Sequence, residues 1–455
     1  MAAKSPLRSS SRREGGLRST AALALFLAGS LALAGCAGAA QVGPDRSVPA
    51  EKWLKRAQTD FSEGRIDEAH DAVSKALAAA PEDTEIKTLA GRIALTRLEF
   101  DETLRLLKDI PGAEARGIRG RAYWYRGDLG PAADELEALL EDPDVHDDWA
   151  KPIAGLARRG QGRTPFAISG AQVAAVDMAN VNPAPFLVIP IEVDGVQTLA
   201  MVSTGIADVV IDSATRAEPS WVSLRFGGSL EVSDVPALTK DLSGLSKELN
   251  APIGALLGSS VLRRVNATMD YAGHQFVARA YAPPPPPHAT RIPLYYARGE
   301  GMMMSTPIGT TNGSAASLFV DSALRFPIAL DERGWVKAGV LPKDLSPVEA
   351  APDLKEGIVP LLKLGSFELR KVPGVLGDGG MTTPIADIEK GFKQDLDGVL
   401  GAFILANYRL TLADGGRTMW LEDDTGFRIM MQQLGAGGPP SEEPAGGGAP
   451  KNEAE

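Results

Sequence analysis

Two short stretches decide how the second half of this sequence folds: LAMVSTG at residues 199–205 and LFVDSA at residues 318–323. Each is a run of apolar residues that ends in small polar residues. An Asp-Gly hairpin signal lies nine residues before Ser203, and an Asn-Gly signal lies nine residues before Asp321. Because such dipeptides form tight turns between antiparallel strands, each stretch is predicted to follow a hairpin turn as a strand.

Two further landmarks repeat in the same order. GSLEVSDVP at residues 228–236 matches GSFELRKVP at residues 365–373, with five of the nine positions identical. ALLG at residues 255–258 and VLG at residues 399–401 each precede a short apolar segment and another predicted strand. Three matched landmarks in one order indicate that a single β unit is duplicated within the chain.

The residues of this repeat resemble a known family. A hydrophobic strand that ends in Asp-Thr/Ser-Gly, followed later by two hydrophobic residues, a glycine and a short helix, is typical of retropepsin-like and pepsin-like aspartic proteases. The resemblance covers roughly residues 180–425. It implies an all-β, two-lobed, aspartic-protease-like domain, with lobe 1 at residues 180–282, a proline-rich linker at 283–290 and lobe 2 at 291–425.

The resemblance also implies which residues form the catalytic site. It assigns Asp321 to a catalytic position, with Ser322 after it, and assigns Ser203 and Thr204 to the matching positions of lobe 1. Thr204 and Ser322 would tie the two loops together. An aspartic protease needs two carboxylates that share one proton, whereas the Ser203 hydroxyl is not ionised at neutral pH. The dyad is therefore degenerate. Ala323 replaces the family's glycine and is expected to strain the turn.

Other carboxylates and a spacing difference bear on this site. Asp208 and Asp212 lie near Ser203 in sequence, but the pattern does not aim them at the partner loop. The interval that holds the family's substrate-covering flap spans 44 residues from Asp321 to Gly365, but only 25 from Ser203 to residue 228. Lobe 1 is therefore expected to lack a full flap, which would leave water in the site.

Three functions fit this pattern. The first is an inactive aspartic-protease fold that binds a peptide or protein. The second is an active aspartic endopeptidase of the retropepsin-like class that uses Asp321, either in an unorthodox pair with Ser203 or in a site completed by dimerisation. The third is a structural envelope scaffold that acts through its helical repeats. Asp321 could also be only a loop carboxylate held by backbone amides, and a raised pKa would favour a functional role.

The region before the β repeat is predicted to be helical. Within residues 51–160, the alanines at 69 and 76 and the proline at 81 have the spacing of tetratricopeptide repeats, which this region resembles. Three helix pairs are expected, ending near Arg159. Such a stack presents a concave surface to peptides or partner proteins. The alternative is a helical spacer that only lifts the β domain off a membrane.

The N-terminus has the layout of a secretory signal. Residues 1–35 are basic and then apolar, and LAGC at residues 33–36 resembles the lipobox of bacterial lipoproteins. The resemblance implies cleavage before Cys36, acylation of Cys36, and anchoring to membrane lipid through a tether at residues 36–50. Ala37 is compatible with sorting to the outer membrane. The protein is thus expected to be lipid-anchored in the bacterial cell envelope.

Composition excludes several classes of protein. The 455 residues are 44% hydrophobic, so packed domains are expected rather than global disorder. The net charge is -11, and such a surface repels phosphate backbones, so nucleic acid is not an expected partner. The single cysteine excludes an internal disulfide, and four scattered histidines give no metal-ligand spacing. No cofactor or metal is implied. Residues 434–455 are rich in Gly, Pro and Glu and are expected to be disordered.

Overall fold

The computed structural model describes residues 46–181, 185–310, 312–349, 351–377 and 385–423. Over this part, a helical region is followed by a region of β-sheets, so the expected mixed, multidomain class is confirmed. The signal peptide, Cys36, most of the tether and the tail at 434–455 lie outside the described residues. None of the described helices combines the length and the hydrophobicity that crossing a membrane requires.

The helical region contains three successive helix pairs and one further helix. The pairs are α1 (Val48–Ser62) with α2 (Ile66–Ala79), α3 (Thr84–Thr96) with α4 (Phe100–Leu107), and α5 (Ala113–Arg126) with α6 (Leu129–Leu140), followed by α7 (Ala150–Arg159). The last helix ends where the sequence predicted, but it follows the third pair as a seventh helix.

The first helix begins earlier than expected. Residues 48–50 were assigned to the tether, but they form the first turn of α1. The side chain of Ser47 accepts a hydrogen bond from the backbone N–H of Ala50 at 3.4 Å, and a proline stands in the first turn, where its missing N–H costs nothing. The boundary at residue 50 is therefore too late.

Glycines let the paired helices approach closely. A Cβ atom on Gly91 of α3 would lie 2.7 Å from Leu107 of α4, and one on Gly120 of α5 would lie 2.6 Å from Leu136 of α6. Both leucines are fully buried. The leucine side chains therefore fill the space that a side chain at either glycine would need.

The β region has two halves. The first contains β1 (Ala167–Gly170), β2 (Val173–Asp177), β3 (Val188–Val193), β4 (Val196–Val202), β5 (Val209–Asp212), β6 (Ser220–Phe226), β7 (Leu230–Lys240), α8 (Ser243–Glu248), β8 (Ile253–Leu257), α9 (Ser259–Arg264), β9 (Thr268–Asp270) and β10 (Gln275–Arg279). The second contains β11 (Thr290–Pro293), β12 (Tyr295–Ala297), β13 (Gly301–Pro307), β14 (Ala315–Asp321), β15 (Ile328–Leu330), α10 (Glu332–Lys337), β16 (Ser346–Val348), β17 (Ala351–Leu364), β18 (Phe367–Leu376), α11 (Ile385–Phe392), β19 (Gly398–Gly401), α12 (Ala402–Leu405), β20 (Tyr408–Ala413) and β21 (Thr418–Asp423).

The two halves share one strand topology. In the first half the order is β7-β5-β8-β4-β3, and in the second it is β18-β15-β19-β14-β13. The central strands β8 and β19 each run parallel to the strand before the 203 or 321 loop, and antiparallel to β5 or β15. In the first half β6 pairs with both β3 and β7, so that sheet closes on itself. The topology thus agrees with the repeat seen in the sequence.

A third sheet joins the halves. Its order is β11-β21-β20-β9-β10-β2, and the antiparallel pair of β20 and β9 lies at its centre. Strand β2 pairs with β10, and β1 pairs with β7. The boundary expected at residue 180 is therefore wrong, because both strands lie before it. They are short, and β2 reads VAAVD, so their apolar alternation is weak in the sequence.

The helical region packs directly onto the β region. One buried hydrophobic cluster contains side chains from α1 to α5 together with side chains of the second β half. Tyr295 donates a hydrogen bond to the Asp67 carboxylate at 2.6 Å, and the indole N–H of Trp221 donates to the Leu156 carbonyl at 3.1 Å. The helical region and the β region therefore share a core.

The close helix packing predicts different effects of alanine at two glycines of α5. Gly120→Ala should destabilise the protein by about 1–3 kcal/mol, because the new methyl group overlaps Leu136. Gly117→Ala is the matched control, since its Cβ would lie 3.5 Å from Leu139 and alanine favours a helix by up to about 1 kcal/mol. Chemical denaturation of both variants measures the difference. Equal stability of the two would contradict this packing.

Candidate functional site

Two loops, one from each β half, are tied together by four hydrogen bonds. The Ser322 hydroxyl accepts from the Thr204 N–H at 3.1 Å and donates to the Val202 carbonyl at 3.0 Å. The Thr204 hydroxyl accepts from the Ser322 N–H at 2.9 Å and donates to the Val320 carbonyl at 2.8 Å. All four residues are buried. This reciprocal arrangement makes each loop the hydrogen-bonding partner of the other.

The tie brings Ser203 and Asp321 together. The Ser203 hydroxyl donates a hydrogen bond to the Asp321 carboxylate, which also accepts from the Gly205 N–H. The Ala323 N–H donates to the same carboxylate at 2.8 Å. Burial raises the pKa of Asp321 above its usual value, although these three hydrogen bonds act to lower it. The Asp321 carboxylate is thus held by backbone amides, and its pKa is nevertheless raised.

Each loop contains a triplet of residues, Ser203-Thr204-Gly205 in one and Asp321-Ser322-Ala323 in the other, and the loops differ at the third position of the triplet. A Cβ on Gly205 would lie 2.6 Å from the carboxyl carbon of Asp321, so only glycine fits opposite the aspartate. The expectation that Ala323 strains its turn is wrong, because Ala323 does not have a left-handed φ. In the matched topology of the halves, Ala323 holds the position that corresponds to Gly205, and Ser203 holds the position that corresponds to Asp321.

A cavity of about 1010 Å³ opens above these two loops. Ser203 and Asp321 line it together with apolar side chains from both β halves, namely Met201, Leu256, Phe319, Phe326 and Phe392. Charged residues, among them Arg325 and Glu300, also line it. A cleft of this size that combines apolar walls with charged and polar groups is suited to bind an extended peptide segment or a small molecule.

The strands next to the cavity differ between the halves. In the second half, residues 351–355 of β17 extend past the end of β18 and pair with β16 in a hairpin. In the first half, turns alone connect β5 to β6. Among the described residues, neither this hairpin nor the turn between β6 and β7 lines the cavity. The segment outside the β halves that lines the cavity comes instead from the helical region.

The connection between α6 and α7 lines the cavity and binds the second β half. His146, Asp147, Asp148 and Trp149 are lining residues. Asp147 accepts from Arg298 at 2.6 Å and from Arg121 at 2.9 Å, and Arg121 also donates to Glu300 at 2.8 Å. Arg121 is 2% exposed. Removing one partner of such a buried ion cluster leaves an uncompensated charge, so breaking the contact between the α6–α7 connection and the second β half is costly.

Trp149 binds the first β half. Its indole N–H donates to the Asp208 carboxylate at 3.0 Å, and the guanidinium of Arg121 lies 4.2 Å from the centre of its ring. Burial and the nearby charge of Glu300 raise the pKa of Asp208 to about 6. Asp208 is thus engaged with the helical region and does not contact Asp321. Asp212 accepts one hydrogen bond from the backbone N–H of Ala214 in its own turn and another from that of Leu242, which follows β7.

The four residues predicted from the β repeat are therefore brought to one place, whereas the helical contribution was missed. No sequence signal relates Arg121, Asp147 and Trp149 to the 203 and 321 loops, because they lie more than fifty residues before Ser203. In the part of the chain that the structure describes, no group of three or more His, Cys, Asp or Glu side chains could hold a metal ion.

The raised pKa of Asp208 predicts a pH-dependent stability. Between about pH 4 and 6 Asp208 is more protonated in the folded protein than in the unfolded chain, so its contribution to stability falls as pH rises through this window. Asp208→Asn keeps an oxygen acceptor for Trp149 but carries no charge. The free energy of unfolding of this variant, minus that of the natural protein, should therefore rise by about 3 kcal/mol from pH 4 to pH 7.

Urea denaturation at several pH values measures this difference. Asp144→Asn, an exposed carboxylate in the same connection, controls for the substitution itself. A constant difference between Asp208→Asn and the natural protein across this range would rule out a proton on Asp208 in the folded state.

Comparison with known proteins yields no relative: no protein-family model matches the chain, and no curated protein matches it in sequence.

Proposed function

We propose that this chain is a lipid-anchored protein of the bacterial cell envelope that binds a peptide, or a peptide segment of a protein, without cutting it. The binding domain is a two-lobed, aspartic-protease-like domain, and its lobes are the two β halves. The observation that carries the proposal is the tie between Thr204 and Ser322, which sets Asp321 against Ser203 in the floor of a cavity.

Kinship with aspartic proteases is supported by three agreements. The repeated strand order includes a parallel pairing next to each loop. Each central strand leads into a short helix, α9 or α12. The hydroxyls at the second position of each triplet cross-link the loops, as the resemblance implies. A fold alone does not set function, so the activity is argued from the site.

Binding is favoured over cleavage because the site holds one carboxylate where two are needed. The groups that bind the Asp321 carboxylate are a hydroxyl and two backbone amides. None of them can exchange a proton with it as a second carboxylate would. The cavity nevertheless keeps its apolar walls and its volume, which are the features that bind a peptide.

The helical region supports the same function. Its three pairs and the small residues between them support a tetratricopeptide-like stack, and its α6–α7 connection forms part of the cavity wall. A purely structural scaffold would have no use for a cavity lined by three regions of the chain. Anchoring through Cys36 rests on the LAGC motif at residues 33–36.

A second candidate function is proteolysis by an unorthodox pair of Asp321 and Ser203. The raised pKa of Asp321 favours it, because a general acid or base works best when its pKa lies near the working pH. In this case Asp321 would activate water while Ser203 bound the scissile carbonyl.

Restoring the dyad should require two substitutions. In Ser203→Asp alone, the new carboxylate meets the methyl group of Ala323, so we expect no cleavage and a loss of about 1–3 kcal/mol in stability. In the double variant Ser203→Asp with Ala323→Gly, the two carboxylates have room to share a proton. This variant should cleave denatured protein at acidic pH and lose that activity with pepstatin.

The natural protein and Asp321→Asn are assayed beside these variants from pH 3 to 8. The natural protein should bind peptides but release no fragments. Cleavage by the natural protein that pepstatin blocks and Asp321→Asn abolishes would overturn the binding proposal in favour of the second candidate. Equal activity of the single variant Ser203→Asp and the double variant would show that Ala323 does not occupy the space that a second carboxylate needs.

Lipid anchoring predicts that Cys36→Ala abolishes incorporation of labelled fatty acid and moves the protein from the membrane fraction to the soluble fraction. The motif supplies the only thiol in the chain, so no other cysteine can take its place. Unchanged membrane association and labelling of Cys36→Ala would exclude this anchor.

A further inference from the structure

We propose that the cavity selects a peptide with a lysine side chain, whose ammonium group binds the Asp321 carboxylate and the Ser203 hydroxyl in the cavity floor. This inference rests on the proposed peptide-binding function and names the class of peptide that the site takes. The charge of the cavity, the acceptors in its floor and its apolar walls all fit this side chain.

The cavity carries more acidic than basic side chains. Of the described residues that line it, six bear carboxylates, whereas three are lysine or arginine and one is histidine. Two of the carboxylates, Asp147 and Glu300, are paired with arginines, and one of these arginines, Arg298, also lines the cavity. Four lining carboxylates and two lining basic side chains remain, namely Asp148, Asp241, Glu248 and Asp321 against Lys240 and Arg325. The cavity therefore attracts a cation rather than an anion.

The carboxylate in the floor is the one that gains most from a cation. Asp148, Asp241 and Glu248 are exposed, whereas Asp321 is partly buried, and burial raises the pKa of its carboxyl group. Among the described residues, the groups that bind this carboxylate are a hydroxyl and two backbone amides, and no lysine or arginine pairs with it. A carboxylate withdrawn from water without a counter-charge is costly to ionise. A ligand cation that contacts Asp321 would offset this cost.

Acceptor sites remain on both residues of the floor. A carboxylate has about four lone-pair sites, and at Asp321 three are used by the Ser203 hydroxyl and the N–H groups of Gly205 and Ala323. Ser203 is 4% exposed and lines the cavity, and the oxygen of its hydroxyl can also accept. An ammonium group can donate to both residues. The guanidinium of arginine binds a carboxylate best through two parallel hydrogen bonds, for which Asp321 has too few free sites.

The walls beside the floor suit the aliphatic part of a lysine. Met201 lies two residues before Ser203, and Phe319 lies two residues before Asp321. Both side chains line the cavity, since alternate residues of a strand point to the same side. They can pack against the four-carbon stem of a lysine while its ammonium group reaches the floor.

Peptides that differ in one side chain test this inference. Pools of octapeptides with blocked termini carry lysine, arginine, norleucine or glutamate at one central position and random uncharged residues elsewhere, so that this side chain is the only charge. Each pool is passed over the immobilised, detergent-solubilised full chain at pH 8. The best-retained lysine sequence is then synthesised with each of the four side chains, and fluorescence anisotropy measures the affinities.

We expect the norleucine and glutamate forms to bind at least about tenfold more weakly than the lysine form, because both lack the hydrogen bonds of a cation. The arginine form should bind at least about threefold more weakly than the lysine form. Equal affinity of the lysine form and either the norleucine or the arginine form would overturn the inference and leave the proposed function intact. Retention of no peptide from any pool would instead overturn the proposed function.

An aspartate variant locates the contact. Asp321→Asn removes the charge but keeps an oxygen acceptor, so the preference for lysine over norleucine should fall to less than about threefold. Asp144→Asn is the matched control, because Asp144 is exposed and is not a lining residue, and it should keep the full preference. Persistence of that preference in a folded Asp321→Asn, checked by circular dichroism, would overturn the inference.

Salt distinguishes the floor from the exposed acids without any variant. From about 0.05 to 0.5 M NaCl, the ratio of the lysine and norleucine affinities should change by less than about threefold, because a contact withdrawn from water is screened little. A ratio that falls to about one at the higher concentration would assign the preference to the exposed carboxylates. Asp321 would then not be the group that selects lysine.

Discussion

The reciprocal hydrogen bonding of Thr204 and Ser322 is the interaction on which the rest of the site depends. Each hydroxyl donates to a carbonyl of the opposite half and accepts the N–H of the other residue. Because all of these groups are buried, losing one hydroxyl would leave several polar atoms without partners. The tie fixes the distance between the two β halves where the cavity begins. Neither Ser203 nor Asp321 takes part in its four hydrogen bonds.

The asymmetry of the site follows from that tie. Once the loops are held together, Asp321 stands against Gly205, which has no side chain. The corresponding positions of the other pair carry Ser203 and Ala323. The site therefore holds a carboxylate on one side only.

The helical region is a component of the cavity rather than an attachment to it. Shared buried clusters join it to both β halves. Its α6–α7 connection brings two carboxylates and an indole to the cavity wall, and one of these carboxylates, Asp147, pairs with the buried Arg121 of α5. Asp208, which lies near the loops in sequence, is thereby engaged with Trp149; burial and the nearby charge of Glu300 raise its pKa, while the hydrogen bond from Trp149 acts to lower it. A segment that precedes the two β halves in the chain thus forms part of the wall of the cavity between them.

The sequence by itself determined the order of a helical region and a doubled β unit, the pairing of Ser203 with Asp321, and the hydroxyls beside them. The order and the doubling follow from spacing and periodicity, which are local and repeat at fixed intervals, whereas the pairing and the hydroxyls are what the family resemblance of the repeated motif implies. Tertiary structure alone decided that β1 and β2 join the β region, that Ala323 is unstrained, and that Asp147 and Trp149 line the cavity. Contacts between segments this far apart depend on how whole domains pack together, and such packing leaves no regular interval in the sequence.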